Sequence, residues 1–544
     1  MIEVSNLQTL RGIGGMTGEI VYVKGHTNAG DGGGGIFMWR TDAVFTGNGI
    51  YSPDNNGTIV KASVTSSGRW VRQYDGYINV LFFGALGVGN DYTAEIQSAV
   101  SFAALNTQYN PVLKGSTVFI PNGSYKISNI VLKNGVNVWG ESMHATHIYS
   151  LPGTDGQYLF EIEQGPVSIQ VANLNLVGQN TDRGCFQFKA KPNIPSQLDP
   201  VAHGGLWNSR LSNIRILGFN GHGIHLAGGE DGSNYMLPNQ FNIFENVRVF
   251  KNSHHSNALR ITGQNGQLTF LNCEFDGFYK NSTYSKGKNI HIQNIVKYHS
   301  PVISFINCTC QDADYGIFIE WAENITIDNC WFENLGVAIS VKSNFADTVS
   351  DVPSKSINIL NSRFANAAGF GSLSAPDNIK AGQCVNISKS FVNVHHNYVA
   401  VTDPNGADLN AQSAFIIAYN NTQGGVSAKG NTFQAHKLGR TFGLMQIVPV
   451  ISNTIDCAGH QLVFVTTSNA VIKTIRSFLN AGETLMIRAD QGPIKFDDTN
   501  NIFLTRKSAL TIQNGEIVTF VKIDNIVGPN NETYQLLSIT RATS

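Results

Sequence analysis

A four-residue pattern recurs along the middle of the chain and restricts the fold more than any other feature. A polar residue, usually Asn, is followed by a small or apolar one, a variable one and another apolar one. It stands at Asn173-Leu-Asn-Leu176, Asn213-Ile-Arg-Ile216, Asn246-Val-Arg-Val249, Asn272-Cys-Glu-Phe275, Asn307-Cys-Thr-Cys310, Asn329-Cys-Trp-Phe332 and Asn361-Ser-Arg-Phe364. Looser copies begin at His396 and Gly430, and start-to-start spacings are 40, 33, 26, 35, 22, 32, 35 and 34 residues. Alternating apolar runs flank each copy, as in Val302-Ile-Ser-Phe-Ile306, Gly223-Ile-His-Leu226 and Ala258-Leu-Arg-Ile261. Three short strands per repeat of irregular length predict a parallel β-helix. Alternation sends one side chain inward and the next outward. Equivalent positions of successive coils then lie ~4.8 Å apart, so inward residues stack. The bend Asn can hand amide hydrogen bonds along the stack. The unequal spacings are expected to place insertions in one loop, between the strand after the Asn and the next strand.

Composition agrees. Gly is abundant (55 of 544), Pro scarce (16) and charged residues only 14%, which suits short strands and tight turns rather than long helices. With 37 basic and 38 acidic side chains the chain lacks the positive excess of a nucleic-acid binder. No apolar run approaches the ~18 residues of a membrane span, and no Sec-type segment opens the chain. The seven cysteines do not suggest a disulfide framework. Cys273, Cys308 and Cys330 fall at one inward position of three repeats and read as small buried thiols. No metal site and no cofactor are expected.

The segment Asp91-Tyr-Thr-Ala-Glu-Ile-Gln-Ser-Ala-Val-Ser-Phe-Ala-Ala104 predicts a helix capped by Asp91 or Thr93, with Ile96, Val100 and Ala103 on one face. Placed before a β-helix, it would cover the open edge of the first coil. After about residue 440 the repeat stops. Longer strands such as Gln461–Val465, Glu483–Arg488 and Glu516–Ile523 predict a C-terminal antiparallel sandwich. The organisation expected is residues 1–78 as an N-terminal domain, 79–440 as helix and β-helix, and 441–544 as the sandwich.

Two segments carry a family resemblance. Asn28-Ala-Gly-Asp-Gly-Gly-Gly-Gly-Ile-Phe37 resembles the short N-terminal domain of many bacteriophage tailspikes. Its competing reading, a phosphate loop, lacks the following Lys-Ser/Thr. Asn79-Val-Leu-Phe-Phe-Gly-Ala-Leu-Gly-Val-Gly-Asn-Asp-Tyr-Thr-Ala-Glu-Ile-Gln-Ser-Ala99 is similar to the opening motif of pectate-lyase-type β-helices, with Glu95-Ile96-Gln97 at the matching place. The resemblance covers residues 1 to about 440. It implies a right-handed β-helix and a homotrimeric, virion-attached depolymerase of bacterial capsular or O-antigen polysaccharide. Contacts with phage tail or baseplate proteins are implied too. The glycine stretch lies close to residue 1, so no long particle-binding domain is expected before it. A truncated chain and a short-anchored spike are the alternatives.

Glycoside hydrolysis needs two carboxyl groups about the scissile bond. Aligned repeats give an outward column Arg215, Arg248, Glu274, Thr309, Trp331, Arg363, Tyr398, and a second of Leu217, Phe250, Asp276, Gln311, Glu333, Ala365. Asp312 and Asp314 follow at the expected loop corner. Glu274, Asp276, Asp312, Asp314 and Glu333 are therefore the candidate catalytic acids, within ~10 Å by rung spacing. Arg248, Tyr315, Phe318, Glu320, Trp331 and His291 are the candidate substrate-binding residues. Arg260 and Lys342 are further candidates for acidic sugars. An ordinary ion pair between Glu274 and Arg248 is the plainer alternative for that acid. A lyase would instead use His254-His255 with Arg260, or His291 with Tyr279 and Lys280. A spike that only grips polysaccharide, and a secreted pectinase-like enzyme, are the other readings.

Overall fold

The computed structural model describes residues 1–41, 53–65, 68–109, 117–192, 202–229, 235–251, 256–277, 285–293, 302–342, 354–365, 383–388 and 390–401, and shorter stretches between 414 and 541. His254, His255, Tyr279, Lys280 and Gly430 lie outside the described residues. Two compact units result, residues 1–276 with 295–299, and residues 277–294 with 300–544. No helix among the described residues is long and apolar enough to cross a membrane.

The first unit opens with a five-stranded sheet. In it Ile2–Val4 pairs with Ile20–Val23, then Gly35–Arg40, Arg69–Gln73 and Ile59–Val60. Alternation along these strands buries Val21, Val23, Phe37, Trp39 and Trp70 against Leu7 and Leu10 of helix Leu7–Arg11. The glycine stretch serves this sheet. Arg72, brought down to about 9 by burial, donates to the Gly33 and Gly34 carbonyls at 2.8 and 2.6 Å. Asp31 accepts backbone N–H bonds from His26, Thr27, Asn28 and Gly33.

The helix Thr93–Tyr109 forms as expected. Asp91 accepts from Thr93 N at 3.0 Å, and Ile96, Val100 and Ala103 are buried. Gln97 explains how the helix closes the sheet edge. Its amide oxygen accepts from Val131 N at 2.8 Å and its amide nitrogen donates to Val131 O at 3.2 Å. One side chain thus satisfies the strand groups that no earlier coil reaches.

The rest of this unit is a parallel β-helix with three inward stacks. One runs Val118, Val138, Val171, Leu211, Phe244, Phe270. The second runs Tyr125, Ile148, Leu176, Ile216, Val249, Phe275. The third runs Ile130, Phe160, Phe186, Ile224, Leu259. All these side chains are buried. The second unit repeats the plan with Phe305, Ile327, Ile359, Val394, with Cys310, Phe332, Phe364, and with Ile292, Ile319, Val341, Ile387.

The bend residues are left-handed: Asn173, Asn213, Asn246, Asn272, Asn307, Asn329, Asn361 and His396 have φ of 48–60°. Asn tolerates this region better than other non-glycine residues, which is why it recurs. Its amides form the expected ladder. Asn246 donates to Asn213 at 2.8 Å and Asn213 to Asn173 at 3.2 Å; in the second unit Asn329 donates to Asn307 at 3.3 Å. The next position forms a second ladder. Cys308 N donates to Cys330 Sγ, Cys330 N to Ser362 Oγ, Ser362 N to Asn397 Oδ1 and Asn397 N to Asn431 Oδ1. Cys330 is thus a buried acceptor in a column that Ser and Asn continue.

Two expectations need correction. Insertions do not fall at one corner: long intervals follow both Lys342, before Lys355, and Ala365, before Gln383. Within Thr309–Glu320 and Trp331–Lys342 no loop intervenes, because left-handed residues Asp312 and Asn334 turn the strand instead. Parallel pairing also continues past residue 440. It links Met445–Val448, Leu462–Val465 and Thr484–Ala489 before the antiparallel strands Ile517–Ile523 and Thr533–Thr540 join.

Candidate functional site

In the first unit Arg248 and Glu274 are rung partners, and Arg248 Nε lies 3.6 Å from Glu274 Oε2. With side chains 48% and 27% exposed, this is the surface ion pair anticipated as the plainer alternative. Asp276, expected outward and open, is only 3% exposed. Alternation fixes the side of the sheet from which a side chain leaves, not whether that side is covered.

The second unit holds the other candidates. Asp312 and Asp314 do not sit on a loop; both belong to strand Thr309–Glu320. Asp314 is 9% exposed and accepts the Gly287 N–H at 2.9 Å, a structural commitment. Tyr315 and Phe318 were expected to offer flat faces to sugar rings. They are buried with Val337, and Phe318 is 2% exposed. Tyr315 and His291 meet Phe318 edge-on, each at 5.2 Å, and Lys288 and Lys342 stand 3.7 and 5.0 Å from its ring centre. Neither face is available to a sugar, and Lys342 is engaged there. His291 Nε2 is 2.6 Å from Glu320 Oε2, so these two candidates are committed to each other.

Of these candidates, a small group around Asp312 remains open. Asn334 Nδ2 donates to Asp312 Oδ1 at 3.2 Å. Glu333 pairs with Gln311 across the rung, and Trp331 Nε1 donates to Glu333 Oε2 at 3.0 Å. Trp331 is 36% exposed, with the Arg363 guanidinium 4.6 Å over its ring. Burial, reinforced by the Glu333 charge, pushes the Asp312 carboxyl above the usual carboxylate range, while the Asn334 bond opposes the shift. Of the five acids proposed as one cluster, this geometry leaves Asp312 and Glu333 as the pair able to divide acid and base roles.

The first unit carries a polar group of which sequence reading named only Arg260. Glu161, Gln187, His225 and Arg260 are successive rung partners on the outer side of the third stack. Tyr158 Oη lies 3.2 Å from His225 Nδ1, and Thr262 Oγ1 lies 3.1 Å from His225 Nε2. His222 stands edge-on to His225 at 5.5 Å. A pocket of about 360 Å³ beside them is lined by Tyr158, Glu161 and Arg183 among others. The runs Gly223-Ile-His-Leu226 and Ala258-Leu-Arg-Ile261 carried the signal: aligned, they set His225 against Arg260.

Comparison with known proteins adds to this geometry. Residues 3–75 match the family described as phage tail protein small four-stranded beta-sheet domain. Comparison with curated protein sequences finds no match. Among solved structures, the chain is similar to the enzymatically active domain of bacteriophage CBA120 tailspike protein 2. The TM-score is 0.52 at 16% identity, over 82% of this chain and 57% of that one. Full-length tailspike protein 2 of an Escherichia coli O157:H7 bacteriophage gives 0.52 at 15%, over 99% and 71%. The fold is shared with these tailspikes. The chain spans little more than half the length of the first of them.

Proposed function

We propose that this chain is a bacteriophage tailspike that binds and hydrolyses bacterial surface polysaccharide, capsule or O-antigen. The observation that carries the chemistry is the half-buried Asp312 carboxyl beside Glu333. Its raised proton affinity suits it to donate to the glycosidic oxygen as the bond breaks. Glu333 would then activate water on the opposite face or attack the anomeric carbon. Trp331 offers the exposed aromatic surface next to the pair, and its indole N–H orients Glu333. Hydrolysis of this kind calls for no cofactor. The match over residues 3–75 supports attachment to the virion tail, where the protein would meet tail or baseplate proteins and act outside the host cell as a homotrimer.

The test is digestion of purified capsule from a susceptible strain, followed by analysis of the fragments. Saturated oligosaccharides are expected. Fragments with the ultraviolet absorbance of an unsaturated uronate would mean β-elimination and overturn the hydrolytic roles of Asp312 and Glu333. Intact polymer on every susceptible host would leave a spike that only binds.

A further inference from the structure

The polar column of the first unit is chemically unlike the carboxyl pair. Its rungs Glu161, Gln187, His225 and Arg260 extend over ~14 Å at the usual strand spacing. Around it, five cationic side chains (Arg183, Lys189, Lys191, Lys251 and Arg260) face two carboxylates, Asp155 and Glu161. One of these carboxylates, Glu161, is already offset by Lys191 at 3.5 Å. Among these groups cations outnumber carboxylates.

Its hydrogen-bond polarity points the same way. Asn257 N donates to His222 Nδ1 at 3.0 Å, so the proton of the neutral ring sits on Nε2 and is available as a donor. If Tyr158 donates to His225 Nδ1, then His225 Nε2–H donates to Thr262, whose hydroxyl proton is left to point onward. Arg260 supplies a planar fork suited to a carboxylate. Arg183 sits at the pocket with its other nitrogens on the Ser128, Tyr158 and Pro152 carbonyls and on Gln157. Burial, His222, Arg260 and Lys189 together depress His225 to about 3, and burial with Arg260 depresses His222 to about 4. Such neutral rings are poor bases near neutral pH but good hydrogen-bond partners.

We propose that this column is a binding site for an acidic sugar residue. Its carboxylate would be held by Arg260 and the His222 ring N–H, and its hydroxyls by the Tyr158–His225–Thr262 chain. This deepens the polysaccharide reading by naming a uronate-bearing substrate class, and it rests on that reading for the choice of a sugar as ligand.

The experiment is equilibrium binding of trigalacturonate, with maltotriose as the neutral control, to wild type, Arg260→Gln, His222→Gln and the surface variant Arg210→Gln. Trigalacturonate should bind wild type and Arg210→Gln alike, at least tenfold more weakly to Arg260→Gln and several-fold more weakly to His222→Gln. Maltotriose should bind at least tenfold more weakly than trigalacturonate. Melting curves identify a variant that has not folded; the other then decides. Undiminished binding to the folded variants, equal affinity for maltotriose, or no trigalacturonate binding to wild type would each overturn the proposal. Cleavage does not enter this readout. Failure of hydrolysis with binding intact would count against Asp312 and Glu333 and leave this site standing.

Discussion

Two outer columns, one on each unit, are each built on parallel rungs yet hold opposite chemistry. In the first unit His222 and His225 are half-buried beside Arg260; in the second Asp312 is half-buried beside Glu333. Desolvation acts identically on both by disfavouring the charged form. For the imidazoles it is joined by a like charge, Arg260, and for Asp312 by a like charge, Glu333. The consequences differ because the starting points differ. A raised carboxyl is shifted towards the proton donor that glycoside cleavage needs. An imidazole held neutral loses its usefulness as a switch and keeps only its hydrogen bonds. One physical effect thus suppresses negative charge on one column and positive charge on the other.

The comparison is sharpened first at the carboxyl column. Glu333→Gln, which keeps the Trp331 contact, should reduce polysaccharide cleavage by about 10²–10⁴-fold, read as reducing ends released. Cleavage within a factor of two of wild type would remove Glu333 from the chemistry. Next comes the interior of the second unit. Phe332 is buried and stacked on Phe364 at 5.0 Å. Phe332→Ala should cost ~3–5 kcal/mol in chemical denaturation. Asn246→Ala, which forces a left-handed φ of 51° on alanine and cuts the amide ladder, should cost ~2 kcal/mol.

Acid titration sharpens the contrast between the columns. His222 and His225 titrate near 6.5 when unfolded but at about 4 and about 3 when folded. The unfolded chain therefore binds more protons in this window, and their stabilisation is complete above pH 6.5 and lost as pH falls towards 4. Asp312 has the opposite sign. Its raised value makes the folded state hold the proton longer, so its contribution declines as pH rises through the carboxylate range. His225→Gln should flatten the melting-temperature profile between pH 6.5 and 4, and an unchanged slope would contradict the assignment. The smallest effect belongs to Arg248→Gln. It should change stability by only ~0–1 kcal/mol, because the Glu274 pair is solvent-screened.

Much of the interior was legible from sequence because it repeats. A left-handed bend admits few residue types, so Asn173 through Asn361 announce themselves. Cys330 aligns with Ser362 because each takes the backbone N–H of the preceding coil and needs a small acceptor to do so. The outer columns were legible only as register. Alignment set Gln311 beside Glu333 and Arg248 beside Glu274 correctly. It could not show that Asp276, Asp314, Tyr315 and Phe318 are covered, since register names the neighbours on a column but not how far their side chains close over one another. Asp312 was read as a loop residue because an Asp in left-handed geometry mid-strand leaves no alternation signal. Of the His225 column only Arg260 stood out, because His225 and Gln187 carry no charge pattern of their own within their alternating runs.

Asp312→Asn is the most direct measurement of the central claim. Asparagine accepts the left-handed bend and can keep the partnership with Asn334, so the fold should be untouched. The variant and wild type should be compared side by side for fragment release from capsule and for melting temperature. The account predicts cleavage lost by at least a hundredfold, with melting equal to or slightly above wild type at neutral pH. Full cleavage by a normally folded Asp312→Asn would contradict it.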